Sequence, residues 1–209
     1  MNYVIYKNKK YFPSKIICVG LNYIDHAKEL NHNLSEEPVI FIKPNSAISQ
    51  TLESQDYDGF HYEAEISFLI ENSKIFAVGF GLDITKRNEQ NNLMMRAHPW
   101  ERSKAFDKSA VFSEFVDFNG NFNDITLKLI INGSIVQSCK ASSMIFSPDE
   151  LMENIKKDIS FENGDILMTG TPDGVGNFSS GDIFNCQLLD KNKLLIVQNY
   201  KVKKYEDRN

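Results

Sequence analysis

This sequence predicts a mostly β chain of the α+β class with a few short helices, and three observations carry that expectation. Short apolar or alternating runs recur from Tyr3 to Tyr200 and read as strands. Turn signals separate them, with Asn132-Gly133 the strongest hairpin dipeptide in the chain. Helix-start chemistry is confined to a few places. The clearest is Ser147-Pro-Asp-Glu150, a capping box with proline at the first helical position.

The bulk numbers suit that class. A chain of 209 residues fits one domain spanning 1–209 with a sizeable core. Hydrophobic content of 42% and charged content of 24% are those of a soluble globular protein. A net charge of −5 disfavours a nucleic-acid partner, and no aromatic-basic cluster offers a platform for bases. Cys18, Cys139 and Cys186 are scattered and odd in number, which points to reduced, packed thiols and a cytoplasmic location. The N-terminus lacks the apolar core of a signal peptide, and no apolar run reaches membrane-spanning length.

Taken in order, residues 3–6 and 10–12 flank Asn8 and predict a short hairpin within 1–14. Residues 15–19 form a compact apolar strand ending at Gly20. Residues 21–31 read as a short helix capped by Asn22 or Asp25, and 31–38 as a polar, breaker-rich loop; together they suit a lid. Residues 39–42 are a buried strand, out of which Lys43-Pro-Asn-Ser46 turns. Residues 55–60 are irregular, and 66–70 with 75–78 form a hairpin turning at 71–74. A helix opens across 83–90. Strands follow at 110–112, 125–131 and 134–137. The capping box then starts a helix running to about Asp158, with Leu151, Ile155 and Ile159 on one buried face. A strand from Gly164 ends in the glycine-rich loop 169–176, residues 181–188 and 194–200 are the last strands, and 203–209 is a polar tail.

Chemistry concentrates around His61-Tyr-Glu-Ala-Glu65. Alternate residues of a strand share a face, so Glu63 and Glu65 project together, roughly 6–7 Å apart. Carboxylates that close repel unless a cation or a proton lies between them. The hairpin that follows can return Asp83 beside them, completing an all-oxygen site for a hard ion such as Mg²⁺. By itself an E-x-E pair is also the solvated face of an amphipathic strand. His26 and Glu29 share a helix face, as a general base and its orienting carboxylate would, or as an incidental surface pair would. Arg87 either pairs with an acid of the protein or holds an anionic substrate. Lys104 either supplies fixed positive charge to a pocket or is solvated. The loop glycines either bring backbone N–H groups close to a ligand or make a strand-end turn. His98 reads as a surface or cap histidine.

Order and spacing join these signals. Gly20-Leu-Asn-Tyr-x-x-His26-x-x-Glu29, Tyr62-Glu-Ala-Glu65, Asp83-x-Thr-x-Arg87-x-x-Gln90, Lys104-x-Phe-Asp107, Asn132-Gly133, Met144-Ile-Phe146 and Thr169-Gly-Thr-Pro-x-Gly-Val-Gly176 resemble the fumarylacetoacetate hydrolase family. The likeness covers roughly residues 15–200 and is close to the short, single-domain branch that includes acylpyruvate hydrolases, oxaloacetate decarboxylases and hydroxyheptadienedioate isomerases. It implies a rolled mixed β-sheet with few helices, and a homodimer. It implies Mg²⁺ or Mn²⁺ on Glu63, Glu65 and Asp83, and His26 with Glu29 as a lid-borne dyad. It also implies Lys104 as a catalytic lysine and Tyr23, Arg87, Gln90 and Thr171 as substrate contacts. Asn88, His61 and Asp173 depart from the family pattern, and the extra carboxylate at Asp173 bears on which substrate tail is accepted.

The implied activity is metal-dependent cleavage of a 2,4-dioxo acid between C3 and C4, giving pyruvate and a carboxylic acid. His26 would activate water and Lys104 would steady the oxyanion. Decarboxylation or tautomerisation of oxaloacetate, or hydroxyheptadienedioate isomerisation, would use the same enolate. A ligand-binding protein that kept the fold without turnover is the non-enzymatic alternative.

Overall fold

The computed structural model describes residues 1–24, 36–54 and 59–205. The expected dyad of His26 and Glu29, with most of the lid segment around it, lies outside the described residues. The fold is mostly β, with helices at Arg87–Met95, Glu101–Lys104 and Pro148–Ile155. Among the described residues no helix is long and apolar enough to cross a membrane.

A large mixed sheet of eight strands runs in the order Val39–Pro44, Lys15–Gly20, Ile166–Met168, Ala64–Glu71, Lys74–Asp83, Ala110–Phe112, Ile48–Ser49. Val116–Asp117 is its eighth member, alongside Lys74–Asp83. Lys15–Gly20 is parallel to Ile166–Met168, and Ala64–Glu71 is antiparallel to both of its neighbours. A four-stranded antiparallel sheet is built from Ser134–Lys140, Ile125–Ile131, Ile183–Asp190 and Lys193–Lys201, in that order. Four hairpins close on consecutive residues at positive φ, Lys7-Asn8, Asn72-Ser73, Asn132-Gly133 and Lys191-Asn192, the backbone arrangement whose twist matches the flanking strands.

The large sheet is buried on both faces, so its central strands are continuous apolar runs rather than alternating ones. Ile17, Val19, Ile66, Phe68, Phe80 and Leu82 face the small sheet, where Leu127, Leu129, Phe184 and Leu188 complete the main core. Ile16, Cys18, Leu69, Ala77 and Met168 leave the opposite face and pack with Phe115 in a second cluster. The capping box holds: Ser147 and Glu150 bond each other's backbone N–H, and Leu151, Met152 and Ile155 are buried.

Four expectations are corrected. The strand at Val39–Pro44 is an edge strand and only half-buried, with Ile42 39% exposed, because it has one neighbour. Lys43 does not turn out of it but is fully buried within it. The helix expected from Asp83 begins at Arg87, since Asp83 ends a strand and Thr85-Lys86 pair with Phe60 and His61. The tail at 203–209 is not all tail, because Lys203–Lys204 pairs in parallel with Glu53–Ser54.

Asp165 locks the start of Lys15–Gly20 to the strand Ile166–Met168. Its buried carboxylate accepts from the backbone N–H groups of Ser14, Lys15 and Glu162 and from the Ser14 hydroxyl, and pairs with Lys15 Nζ at 2.6 Å. Burial raises its pKa, but the Lys15 ammonium and these donors outweigh burial and hold it below the ordinary value. A depressed carboxylate contributes stability above its unfolded pKa and loses it as pH falls through the folded pKa. Asp165→Ala should therefore cost about 2–4 kcal/mol near neutral pH, with the gap from the parent narrowing below about pH 4, measured by denaturant unfolding. A gap independent of pH would contradict this role.

Candidate functional site

Strand register brings the acidic residues together. Glu65 stands opposite Gly81 in the hairpin, and the Asp83 N–H donates to the Glu63 carbonyl at 2.8 Å. Glu63, Glu65 and Asp83 thus leave the sheet on the face opposite to Ala64, Ile66 and Leu82, which enter the main core. Carboxylate oxygens of the three lie within 4.8 Å of one another, and all three residues are buried. Gly81 lets that face pack tightly, since a Cβ there would lie 2.3 Å from Ser67 Oγ.

Cations interleave with the acids. Lys104 Nζ donates to Glu63 Oε2 at 2.7 Å, Asp83 Oδ2 at 2.8 Å and Thr85 Oγ1 at 2.7 Å. Lys43 Nζ lies 2.8 Å from Asp83 Oδ1 and donates to the Lys104 carbonyl and to Ser109 Oγ. Arg87 pairs with Glu63 Oε1 and donates to Gln90. Glu65 has no such cation among the described residues; its Oε2 accepts from the Gly170 N–H at 2.7 Å. The glycine-rich loop therefore aims one N–H at a carboxylate of the protein itself.

Burial, and then the charges of Asp83 and Glu63, push the Glu65 carboxyl well above the usual carboxylate range. Burial opposes the charge on Lys104, but Asp83 and Glu63 overcome it and hold the ammonium above its ordinary pKa. A buried, closely spaced, all-oxygen donor set with one carboxylate short of positive charge fits a hard divalent ion. Glu63, Glu65 and Asp83 are the residues that would hold Mg²⁺ or Mn²⁺.

A cavity of about 230 Å³ opens beside this cluster. Its lining includes the polar residues Glu63, Arg87, Gln90, Lys104 and Thr171 and the apolar residues Val19, Val39, Phe41, Met94 and Trp100. Arg87, Gln90, Asn91 and Met94 reach it from one side of the Arg87–Met95 helix, a spacing that places them on one face. The structure thus gathers Arg87, Gln90, Lys104 and Thr171 around one space next to the acidic trio. Tyr23 does not line this cavity; it is buried, with its hydroxyl accepting from the Cys139 thiol at 3.5 Å. Burial lifts that thiol to about 11. His98 is exposed.

Sequence reasoning missed three residues that build the site. Lys43 looked like a strand exit, although a lysine directly after an apolar run and before proline is the signal that was there. Asn22 is buried and holds Phe146 and Thr169 through its amide. Gln137 is buried on the small sheet and bonds Thr171 and Ala64.

Comparison with known proteins agrees with this fold. The family model described as fumarylacetoacetate (FAA) hydrolase C-terminal matches residues 15–199. The chain is 36% identical over 190 residues to oxaloacetate tautomerase YcgM of Escherichia coli, covering 82% of this chain and 87% of that protein. It is 32% identical over 193 residues to the mitochondrial oxaloacetate decarboxylase of Dictyostelium discoideum, covering 82% and 87%. Its fold is similar to the crystal structure of fumarylpyruvate hydrolase from Pseudomonas aeruginosa in complex with Mn²⁺ and pyruvate. That match has a TM-score of 0.86 and 25% identity, over 98% of this chain and 97% of the other.

Removing Lys43 leaves Asp83 short of a buried counter-charge. Lys43→Met should destabilise the metal-free protein by about 3–5 kcal/mol. Saturating Mn²⁺ should then raise the melting temperature more in the variant than in the parent, in melts run with Mn²⁺ and with EDTA. Equal melting of both proteins in EDTA would contradict the pairing.

Proposed function

The chain belongs to the fumarylacetoacetate hydrolase family, and on that premise we propose that it interconverts the keto and enol forms of a short 2-oxo dicarboxylate of the oxaloacetate class. The observation that carries this reading is the charge balance beside the cavity. Three buried carboxylates, Glu63, Glu65 and Asp83, face three cations, Lys43, Arg87 and Lys104. A divalent ion then adds two positive charges, which complement a dianion. The names of the E. coli and Dictyostelium relatives support the same substrate class.

When bound by Glu63, Glu65 and Asp83, the ion supplies Lewis acidity toward the oxygens of a 2-oxo acid. Lys104, at the cavity end of the cluster, keeps a permanent positive charge close to where enolate charge develops. Arg87 offers a planar guanidinium suited to a carboxylate. Thr171 offers a hydroxyl beside it. The wall of Val39, Phe41 and Trp100 lowers the local dielectric, which strengthens these interactions. Keto–enol exchange moves one proton between C3 and the 2-oxo oxygen and needs no attacking water.

A second reading is hydrolysis of a 2,4-dioxo acid to pyruvate and a carboxylic acid, favoured by the likeness to a fumarylpyruvate hydrolase that holds Mn²⁺ and pyruvate. It requires a water activated by His26 and Glu29.

Ultraviolet absorbance of oxaloacetate enol separates these readings. Purified protein with Mg²⁺ or Mn²⁺ should speed enol–keto exchange above the spontaneous rate, EDTA should abolish the effect, and Lys104→Met should lower kcat about a hundredfold. Exchange no faster than without protein would sink the tautomerase reading. Any acetylpyruvate cleavage by the parent should be lost in His26→Ala with Mn²⁺ binding intact; cleavage at an undiminished rate would remove the dyad.

A further inference from the structure

We propose that Gln137 is a positioning residue that makes the Thr171 hydroxyl a donor aimed at the bound substrate. The nature of the ligand rests on the functional reading above; the hydroxyl's direction rests on geometry alone. Gln137 lies on the Ser134–Lys140 strand of the small sheet and is buried. Its Oε1 accepts from the Ala64 N–H at 3.0 Å, and its Nε2 donates to the Pro172 carbonyl at 2.9 Å and the Asp173 carbonyl at 3.3 Å. A backbone N–H can only donate and a backbone carbonyl can only accept, so the two ends of this amide cannot be exchanged.

The same Nε2 lies 2.9 Å from Thr171 Oγ1. An amide nitrogen only donates, and its two hydrogens are shared among Thr171 Oγ1, the Pro172 carbonyl and, at longer range, the Asp173 carbonyl, so Thr171 Oγ1 is the acceptor there and its own proton points elsewhere. Among the described residues no second partner takes that proton, and Thr171 lines the cavity. The cavity is open to it, and a carboxylate or carbonyl oxygen of a ligand there would accept the proton.

Loop and strand are shaped for this contact. Gly174 has φ +88°, and a Cβ there would lie 2.2 Å from the Val136 carbonyl oxygen, so only glycine lets the loop approach closely enough for Gln137 to span it. Because Gln137 also holds Ala64, between Glu63 and Glu65, one side chain sets the spacing between the hydroxyl and the acidic trio.

Oxalate, a planar dianion that mimics an enolate of pyruvate, is the probe, titrated calorimetrically into the intact Mg²⁺-loaded chain with melting curves alongside. Thr171→Val should weaken oxalate binding about tenfold or more. Gln137→Glu places an acceptor where a donor stood, which turns the Thr171 proton away from the cavity and should weaken oxalate by a similar factor. Gln137→Met removes the donor without burying a charge and serves if the glutamate variant does not fold. In the Thr171→Val background either Gln137 substitution should change oxalate affinity by less than about twofold. Equal losses in both backgrounds, or full affinity in Thr171→Val, would overturn the proposal, as would a parent protein that does not bind oxalate. A parent that binds oxalate but leaves oxaloacetate unchanged removes the tautomerase reading alone, and the cycle still decides the role of Gln137.

Discussion

Mutual compensation of buried charge is the constraint on which the rest of this structure depends. Glu63, Glu65 and Asp83 lie within 4.8 Å of one another in the interior, an arrangement that would drive itself apart unless positive charge came with it. Lys43 and Lys104 take one oxygen each of Asp83, and Arg87 and Lys104 take one each of Glu63. Removal of any cation leaves a buried anion exposed to its neighbours, so the cluster is stable only as a set.

That set requires several distant segments to meet. Lys43 comes from an edge strand, Asp83 from the far end of a hairpin, Lys104 from a single-turn helix, and Gly170 from a loop after Ile166–Met168. The two-sided burial of the large sheet makes the meeting possible. One face carries the main core against the small sheet, which leaves the other free to hold charges at one end and a small apolar cluster at the other. Asp165 and Asn22 then tie the Lys15–Gly20 strand and the segment after it to the acidic hairpin's neighbours.

Much of this was legible in the amino-acid order, for local reasons. The E-x-E alternation predicts two carboxylates on one face, and the turn at Asn72-Ser73 predicts that the chain reverses and brings Asp83 back. Asn132-Gly133 and the Ser147 capping box announce themselves through backbone and side-chain chemistry within four residues. What was not legible depends on partners far away in sequence. Nothing near Lys43 says that Asp83 will neutralise it, and nothing near Gln137 says that it will bridge Thr171 and Ala64. Thr85-Lys86 became a strand rather than a helix start because Phe60 and His61 offered a ladder there. The contact of the buried Tyr23 hydroxyl with the Cys139 thiol likewise depends on a residue far away in sequence.

The claim beneath the whole account is that the acidic trio is a cation site. Crystals soaked in Mn²⁺ and measured for anomalous scattering at the manganese edge test it most directly. The account predicts one strong peak bonded to oxygens of Glu63, Glu65 and Asp83, beside the cavity that Arg87, Lys104 and Thr171 line. A map with no peak among those three carboxylates, or with manganese bound only elsewhere on the chain, would contradict it.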